Sequence, residues 1–524
     1  MFKHKSKALL FFLVALGFHL NGLAQNNQTN GAVGAFIGGG TNNTIFNTAS
    51  YSFIGSGGAN TNASFSSVIV GGSNNLIDTN GVRNFIGAGG NNSISSVASG
   101  IVAGVGNAVQ QGAYRSFIGS GVLNIIERGA QYSVIGGGAS NIIASNYTNA
   151  FIGGGFANEV MGSCTTIGGG AGNFASNNFS TIGGGIRNEA INYVATVGGG
   201  DNNVASGLSS VVAGGFRNVA SGSQCAVGGG GLNEAGEEGC TVAGGHNNIN
   251  RSLGATIGGG RRNQVILRGN YGTIGGGENN YLSRNWATLA GGKQNTNNGL
   301  YGTMSGGAHN WVNGDRAVVS GGVSNVAAAM NATVPGGSRN TATNNGSFVW
   351  GDGSSPTTSW ADNTFTVRAI GGIRFYSAAG TATGVRLAAG GNAWASVSDR
   401  EAKQDFQAVD KRGILKKVAD LPVTSWTYKT DLSRRYIGPM AQDFHLTFGL
   451  GDDDKSIATL DTDGVLLASV QGLVEELQER DRVMAWERLQ NASALAERDG
   501  EIEALRKSFR ELKAKVDSLG PPKK

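Results

Sequence analysis

The segment Ser398-Asp399-Arg400-Glu401-Ala402-Lys403 places a serine and a lysine five residues apart. A serine hydroxyl becomes an effective nucleophile when a base takes its proton. A lysine can act as that base only when it is neutral, which requires desolvation or crowding by other cations. The spacing alone is a weak signal, because Ser398 or Asp399 could instead cap the N-terminus of a helix.

The sequence predicts no metal site and no cofactor, because its five histidines are scattered and its three cysteines form no CxxC pair. Cys225 and Cys240 occupy the same slot in two consecutive repeat units. If the units stack, the two thiols come within reach of a disulfide. The alternative is that both are small buried residues in place of serine or alanine. Cys164 lies one position away from that slot.

The elements that must position these residues fall into a repetitive body and a charged tail. Glycine accounts for 89 of 524 residues, proline for only 6, and charged residues for 14%. This composition excludes collagen, which needs proline and a three-residue glycine period. Only 23 charged residues lie between residues 26 and 345, whereas 44 follow residue 398. No basic stripe with interleaved aromatic residues occurs, so we expect no nucleic-acid partner.

The body repeats one unit 20 times. In each unit an apolar residue, here called the anchor, precedes two or three glycines and is followed six positions later by asparagine. The spacing is mostly 15 residues, and 15 to 17 in the early units. The anchors are Ile37, Ile54, Ile69, Ile86, Val102, Ile118, Ile135, Ile152, Ile167, Ile182, Val197, Val212, Val227, Val242, Ile257, Ile274, Leu289, Met304, Val319 and Val334. The Val102 unit is one residue short of its asparagine, Asn107.

A second apolar residue usually stands eight positions after the anchor, and a small residue stands two before it. Because side chains alternate along a strand, each unit indicates a short strand, a glycine turn, a second short strand and a loop. The predicted fold is therefore mainly β, a thin parallel β-solenoid or β-roll with stacked asparagines along its axis. Such thin coils favour burial against identical chains, and we expect a homotrimer.

These units resemble the heads of trimeric autotransporter adhesins over roughly residues 30–345, although the extra glycines and the 15-residue period depart from that family. A calcium solenoid would need aspartates in GGxGxD repeats, and only Asp201 follows a glycine triplet. A catalytic β-helix would need a cluster of carboxylates, and the charges are too sparse. A regular-surface function such as ice binding stays open.

The N-terminus predicts export. Lys3, Lys5 and Lys7 precede an apolar stretch and the small residues before Gln25, as in a secretory signal peptide. We expect cleavage after residue 24 and a secreted or cell-surface protein with no transmembrane anchor in the mature chain. An uncleaved membrane anchor is the alternative.

After the repeats, residues 348–397 alternate in the manner of strands and predict a β-rich neck. The tail then carries five motifs in order: Ser398–Lys403, Leu421-Pro422-Val423, Trp426-Thr427-Tyr428, Ile437–Phe444 and Asp461–Val465. Together these resemble the C-terminal intramolecular chaperone, or self-cleaving peptidase domain, of phage endosialidases, tail spikes and tail fibres.

The resemblance implies a domain that trimerises the chain, assists its folding and then cuts itself off. Cleavage would fall between Val397 and Ser398, with Ser398 and Lys403 as the catalytic pair acting on their own chain only. Retention of the module as an uncut trimerisation cap is the alternative.

Beyond Val465 apolar residues recur at heptad spacing, from Leu495 and Ile502 to Leu519. This pattern predicts a three-stranded coiled coil, with one helix packed on its own domain as the alternative. The predicted organisation is a signal peptide at 1–24, repeats at 25–347, a neck at 348–397, a chaperone or peptidase core at 398–465 and a coiled coil at 466–520. We expect an exported trimeric fibrous, adhesin-like protein of unknown surface or glycan ligand, or a purely structural fibre without a ligand.

Overall fold

The computed structural model describes residues 26–381 and 383–520, so the predicted signal peptide lies outside the described residues. The described residues divide into two compact units, the first ending at Ile370 and the second beginning at Gly371. The first unit is a parallel β-solenoid, and the second contains two small antiparallel sheets and three helices. The predicted mainly β, solenoid-based fold class is confirmed.

Each coil of the solenoid contributes two short strands, and each strand pairs in parallel with its counterpart one coil away. The 22 first strands are Phe36–Ile37, Phe53–Ile54, Val68–Ile69, Phe85–Ile86, Gly100–Ile101, Phe117–Ile118, Val134–Ile135, Phe151–Ile152, Thr166–Ile167, Thr181–Ile182, Thr196–Val197, Val211–Val212, Ala226–Val227, Thr241–Val242, Thr256–Ile257, Thr273–Ile274, Thr288–Leu289, Thr303–Met304, Val318–Val319, Thr333–Val334, Phe348–Gly351 and Phe365–Arg368.

The second strands are Thr44–Ile45, Thr61–Asn62, Leu76–Ile77, Ser93–Ile94, Ala108–Val109, Ile125–Ile126, Ile142–Ile143, Glu159–Val160, Phe174–Ala175, Glu189–Ala190, Val204–Ala205, Val219–Ala220, Glu234–Ala235, Ile249–Asn250, Gln264–Val265, Tyr281–Leu282, Thr296–Asn297, Trp311–Val312, Val326–Ala327, Asn340–Ala342 and Thr357–Thr358. Between the two strands, a third column of single parallel bridges runs from coil to coil, beginning with Thr41 to Gly58.

The core contains a column of wholly buried anchor side chains, from Ile54 to Val349, and a second buried column from the second strands, such as Ile77 and Val160. Burying one anchor side chain is worth about 1.5–3 kcal/mol, and the anchor column repeats this gain once per coil. Glycine three positions after the anchor is required by the tight stacking. At Gly138 the backbone has φ of 90°, and an added Cβ would lie 2.1 Å from the carbonyl oxygen of Gly155 in the next coil.

Buried asparagines six positions after the anchors form a continuous ladder. At Asn173 the backbone N–H donates to Oδ1 of Asn158 (3.0 Å), and Asn173 Oδ1 accepts from the N–H of Asn188 (3.0 Å). Its Nδ2 donates to the carbonyls of Gly169 and Gly185, both at 2.9 Å. One asparagine therefore ties together three successive coils and satisfies its own buried amide.

The coil register corrects one predicted anchor. Ile101, not Val102, pairs with Ile86 and Ile118; Ile101 is wholly buried, whereas Val102 is 43% exposed. Asn107 then lies six positions after its anchor like the other ladder residues, and every anchor-to-anchor spacing through Val349 becomes 15 or 17 residues. The error arose because the sequence offers two adjacent apolar residues, and strand alternation buries only one of them.

The parallel ladder also continues past residue 347, into the segment assigned above to the neck. Phe348 pairs with Thr333 and Phe365, so two further coils are added. At the C-terminal end of the solenoid, the carboxylate of Asp352 accepts hydrogen bonds from the backbone N–H groups of Ser354 (2.9 Å) and Ile370 (2.7 Å). These bonds link Asp352 to the last residue of the first unit.

In the second unit, an antiparallel neck sheet contains the strands Ile373–Tyr376, Gly384–Leu387 and Trp394–Ser396. A hairpin of Thr424–Tyr428 and Asp431–Gly438 follows. The helices are α1 (Lys411–Asp420), α2 (Ala441–Phe448) and α3 (Thr459–Ser518), the last of 60 residues. Among the described residues, no helix is both long and apolar enough to cross a bilayer.

Candidate functional site

The candidate cleavage position lies where the chain leaves the neck sheet. Val397 directly follows the strand Trp394–Ser396, and its backbone N–H still donates to the carbonyl oxygen of Gly384 (2.9 Å). From Ser398 onward the chain has no regular secondary structure until α1 begins at Lys411. The peptide bond between Val397 and Ser398 is therefore anchored by the sheet on one side and free on the other.

A turn brings the predicted pair into contact. The side chain of Asp399 accepts a hydrogen bond from the N–H of Glu401 (3.1 Å), and the N–H of Lys403 donates to the carbonyl of Arg400 (3.1 Å). This reversal folds the lysine back, and Lys403 Nζ donates to Ser398 Oγ over 2.6 Å. The structure thus brings together the two residues that the sequence placed five positions apart.

Neither Ser398 nor Asp399 caps a helix. The N-cap of α1 is Asp410, whose side chain accepts from the N–H of Gly413 (3.0 Å). The role of Asp399 in shaping the turn escaped the sequence analysis. The tendency of aspartate to accept a hydrogen bond from the backbone two residues ahead was the available signal.

The electrostatics of the pair depend on its exposure. In this single chain Ser398 and Lys403 are both exposed, while Val397 is half-buried. In this contact Lys403 Nζ is the donor and Ser398 Oγ the acceptor. To serve as a general base for Ser398 the lysine must lose a proton, which desolvation favours.

After the turn, the chain forms a small scaffold of helices and a hairpin. Helix α1 packs on the start of α3, where an added Cβ at Gly472 would lie 2.4 Å from the carbonyl of Lys411. Lys411 Nζ also pairs with Glu475 Oε1 at 3.2 Å. In the hairpin, the rings of Trp426 and Tyr436 stack with centroids 4.9 Å apart.

Most of α3 is unpartnered in this chain. Its first turns bury Val465, Ser469 and Gly472, whereas Leu505 and Phe509 are each 68% exposed. Isolated helices rarely expose an apolar stripe at heptad spacing, because the stripe is normally buried against other helices.

The cysteine pair lies far along the chain from this site, in the solenoid. Cys225 and Cys240 are buried in adjacent coils as free thiols. The disulfide that the sequence allows between them stays a prediction. The Sγ atoms point to the carbonyls of Ala235 (3.2 Å) and Asn250 (3.5 Å). A hydrogen bond with the Cys240 thiol, together with burial, raises the pKa of Cys225. Cys164 is exposed.

No cluster of three or more histidine, cysteine, aspartate or glutamate residues that could hold a metal ion occurs in residues 26–381 or 383–520. No curated protein sequence matches the chain. Residues 398–448 match the family model described as chaperone of endosialidase, a match that begins at Ser398 itself. The chain therefore carries a chaperone-of-endosialidase domain at its C-terminal side, behind a long parallel β-solenoid.

Proposed function

We propose that this chain is an exported, trimeric, fibrous surface protein. Its solenoid forms the shaft, and its C-terminal domain is an intramolecular chaperone that aligns three chains. The observation that supports this most strongly is the chaperone-of-endosialidase match directly behind the solenoid and neck. The exposed apolar stripe of α3 supports the same assembly, since a three-stranded coiled coil would bury it.

We further propose that the domain releases itself between Val397 and Ser398. The hydroxyl of Ser398 attacks the carbonyl carbon of Val397, Lys403 takes the hydroxyl proton, and the same amine then protonates the departing backbone nitrogen of Ser398. The product is an ester between the Val397 acyl group and Ser398 Oγ. Water hydrolyses it to a Val397 carboxylate and a fragment with a free N-terminal Ser398.

The exposure of the pair explains why cleavage would wait for assembly. In one chain water reaches both side chains, and Lys403 Nζ donates to Ser398 Oγ. Packing of further copies around the domain would remove that water and favour the neutral amine. Cleavage would then occur only in a folded trimer.

The test is intact mass and N-terminal sequencing of purified protein expressed from the full chain. We expect a fragment of residues 398–524 from the parent, and only uncut chain from Ser398→Ala and Lys403→Ala. Ser396→Ala and Lys416→Ala are matched controls, because each replaces an exposed serine or lysine of the same unit that lies outside the pair. A fragment starting at residue 398 in Ser398→Ala would refute the assignment.

An uncleaved parent that is nevertheless a trimer by native mass would favour the alternative function, a structural fibre with a permanent cap. Export is tested separately. Mature protein recovered from the secreted fraction should begin at Gln25, and a chain that retains Met1 there would contradict the signal peptide.

A further inference from the structure

One side of the solenoid carries no charge. In each coil, side chains one before, one after and two after the buried anchor lie outside the core, and we call the surface they form the first-strand face. In the 20 coils from Ile37 to Val334 these positions contain no Asp, Glu, Lys or Arg. All 23 charged residues between 26 and 345 lie at or beside the single parallel bridges between the two strands, on the second strand, or in the loops. Depletion of charge marks the core of protein–protein interfaces.

The position two after the anchor is glycine, serine or alanine in all 20 coils, with Ile101 as the anchor of its coil. At four of the glycines in this position, the structure of the single chain leaves room for a larger side chain. At Gly39, Gly244, Gly276 and Gly291 an added Cβ would meet nothing within 4 Å, and φ lies outside the left-handed range. Since the chain itself leaves this space open, the small residues keep the surface flat for the close approach of another backbone.

The same face exposes large apolar side chains in its N-terminal half. Phe85, Phe117 and Phe151 are each 41–42% exposed, and Val102 is 43% exposed. In the C-terminal half the position before the anchor is mostly threonine, as at Thr256. Contiguous exposed apolar surface rimmed by polar residues marks an interaction site.

We propose that the first-strand face packs against the same face of two further copies of this chain, around an axis parallel to the solenoid. The face is uncharged over the 20 coils from Ile37 to Val334, so its partner must offer an equally long uncharged surface of matching period. Another copy of the solenoid has both properties. This inference rests on the proposed trimer and specifies which side of each solenoid faces the axis.

Thiol cross-linking in the full chain tests the assignment, with exposed Cys164 replaced by serine. Thr256→Cys lies on the first-strand face, and Gln264→Cys is its matched control on the second strand of the same coil; both positions are half-buried. Residues on the axis meet their own counterparts, so mild oxidation should give covalent dimers with Thr256→Cys that reductant removes. Gln264→Cys should remain a single chain on a denaturing gel.

The outcomes separate the inference from the proposed function. A trimer by native mass that cross-links at position 264 rather than 256, or at neither, overturns the assignment of the face but keeps the trimer. A parent that is monomeric by native mass contradicts both. Gly276→Val provides a second measurement, because valine is larger than any residue at this position in the 20 coils, and an added Cβ at Gly276 meets nothing within 4 Å in the single chain. The packed face predicts a lower melting temperature for this variant, and an unchanged or raised one would contradict it.

Discussion

Removal of one rung of the asparagine ladder should weaken the solenoid locally and strongly. Asn173→Ala deletes the bonds from Nδ2 to the carbonyls of Gly169 and Gly185 and the acceptor of the Asn188 N–H. Three lost hydrogen bonds cost about 3 kcal/mol at about 1 kcal/mol each, and a stranded buried N–H adds about 1–3 kcal/mol. We expect a loss of about 4–6 kcal/mol in the free energy of local opening.

The matched control is Asn178→Ala in the same coil. Asn178 is exposed, and its side chain accepts one hydrogen bond, from the N–H of Ser163 (2.8 Å), so we expect a loss of no more than about 1 kcal/mol. Since repeat proteins open locally, the assay is amide hydrogen exchange on peptides that span the coils from Ile167 to Val197.

Every 1.4 kcal/mol corresponds to a factor of ten, so Asn173→Ala should accelerate exchange in these coils by about a thousandfold or more. Distant coils should be unchanged. Exchange rates in Asn173→Ala within tenfold of those in Asn178→Ala would refute the idea that the ladder holds the coils together.

Two further predictions concern titratable groups. In native protein an alkylating reagent should react readily with Cys164, whereas Cys225 and Cys240 should react only after unfolding. Both are buried, and a hydrogen bond with Cys240, together with burial, raises the pKa of Cys225. If two thiols stay unreactive in unfolded protein without reductant, Cys225 and Cys240 form the disulfide instead. Hydrogen bonds from Ser354 and from the backbone N–H of Ile370 lower the pKa of Asp352 to about 2 from 3.8. The stability that this carboxylate gives to the end of the solenoid is therefore complete above about pH 4 and is lost as the pH falls toward 2. Amide hydrogen exchange at Ile370 should accordingly become faster between about pH 4 and pH 2 in the parent. In Asp352→Asn, exchange at Ile370 should be faster at all pH values.

The repeat could be predicted from sequence because two physical requirements recur at fixed spacing. Each coil needs a buried apolar residue, such as Ile167, and a polar side chain that satisfies buried backbone groups, such as Asn173. Ile101 was missed because its neighbour Val102 is equally apolar, and only the backbone register decides which one is buried. The final coils were missed because Thr357, and not an asparagine, pairs with the ladder residue Asn340, although strand pairing continues.

The sequence identified the residues of the candidate site but not the geometry that brings them together. The spacing of Ser398 and Lys403 would suit one side of a helix as well as a turn. Hydrogen bonds to the Asp399 side chain and to the Arg400 carbonyl form a turn that reverses the chain. This turn brings Lys403 Nζ to 2.6 Å from Ser398 Oγ. In the proposed trimer, the desolvation that the proposed chemistry needs would come from other copies of the chain, and a single sequence does not contain that information.

The repetition that makes the solenoid predictable also explains why such a chain would carry a chaperone domain. Each coil contacts its neighbours through nearly the same anchor, glycine and asparagine positions, so three solenoids shifted by one whole coil would bury almost the same surface. Only sparse features distinguish the registers, such as the 15- and 17-residue spacings and the change from phenylalanine to threonine along the first strands.

Misassembly of this kind is characteristic of repeat proteins. A C-terminal domain that first brings three chains together fixes their register before the coils close, because coil pairing can then propagate from an aligned end. Once every coil is paired, the register is held by the buried anchors and the ladder along the whole length. In the proposed trimer the domain is therefore needed for assembly but not for persistence of the shaft, which is the condition under which release at Ser398 would leave a stable fibre.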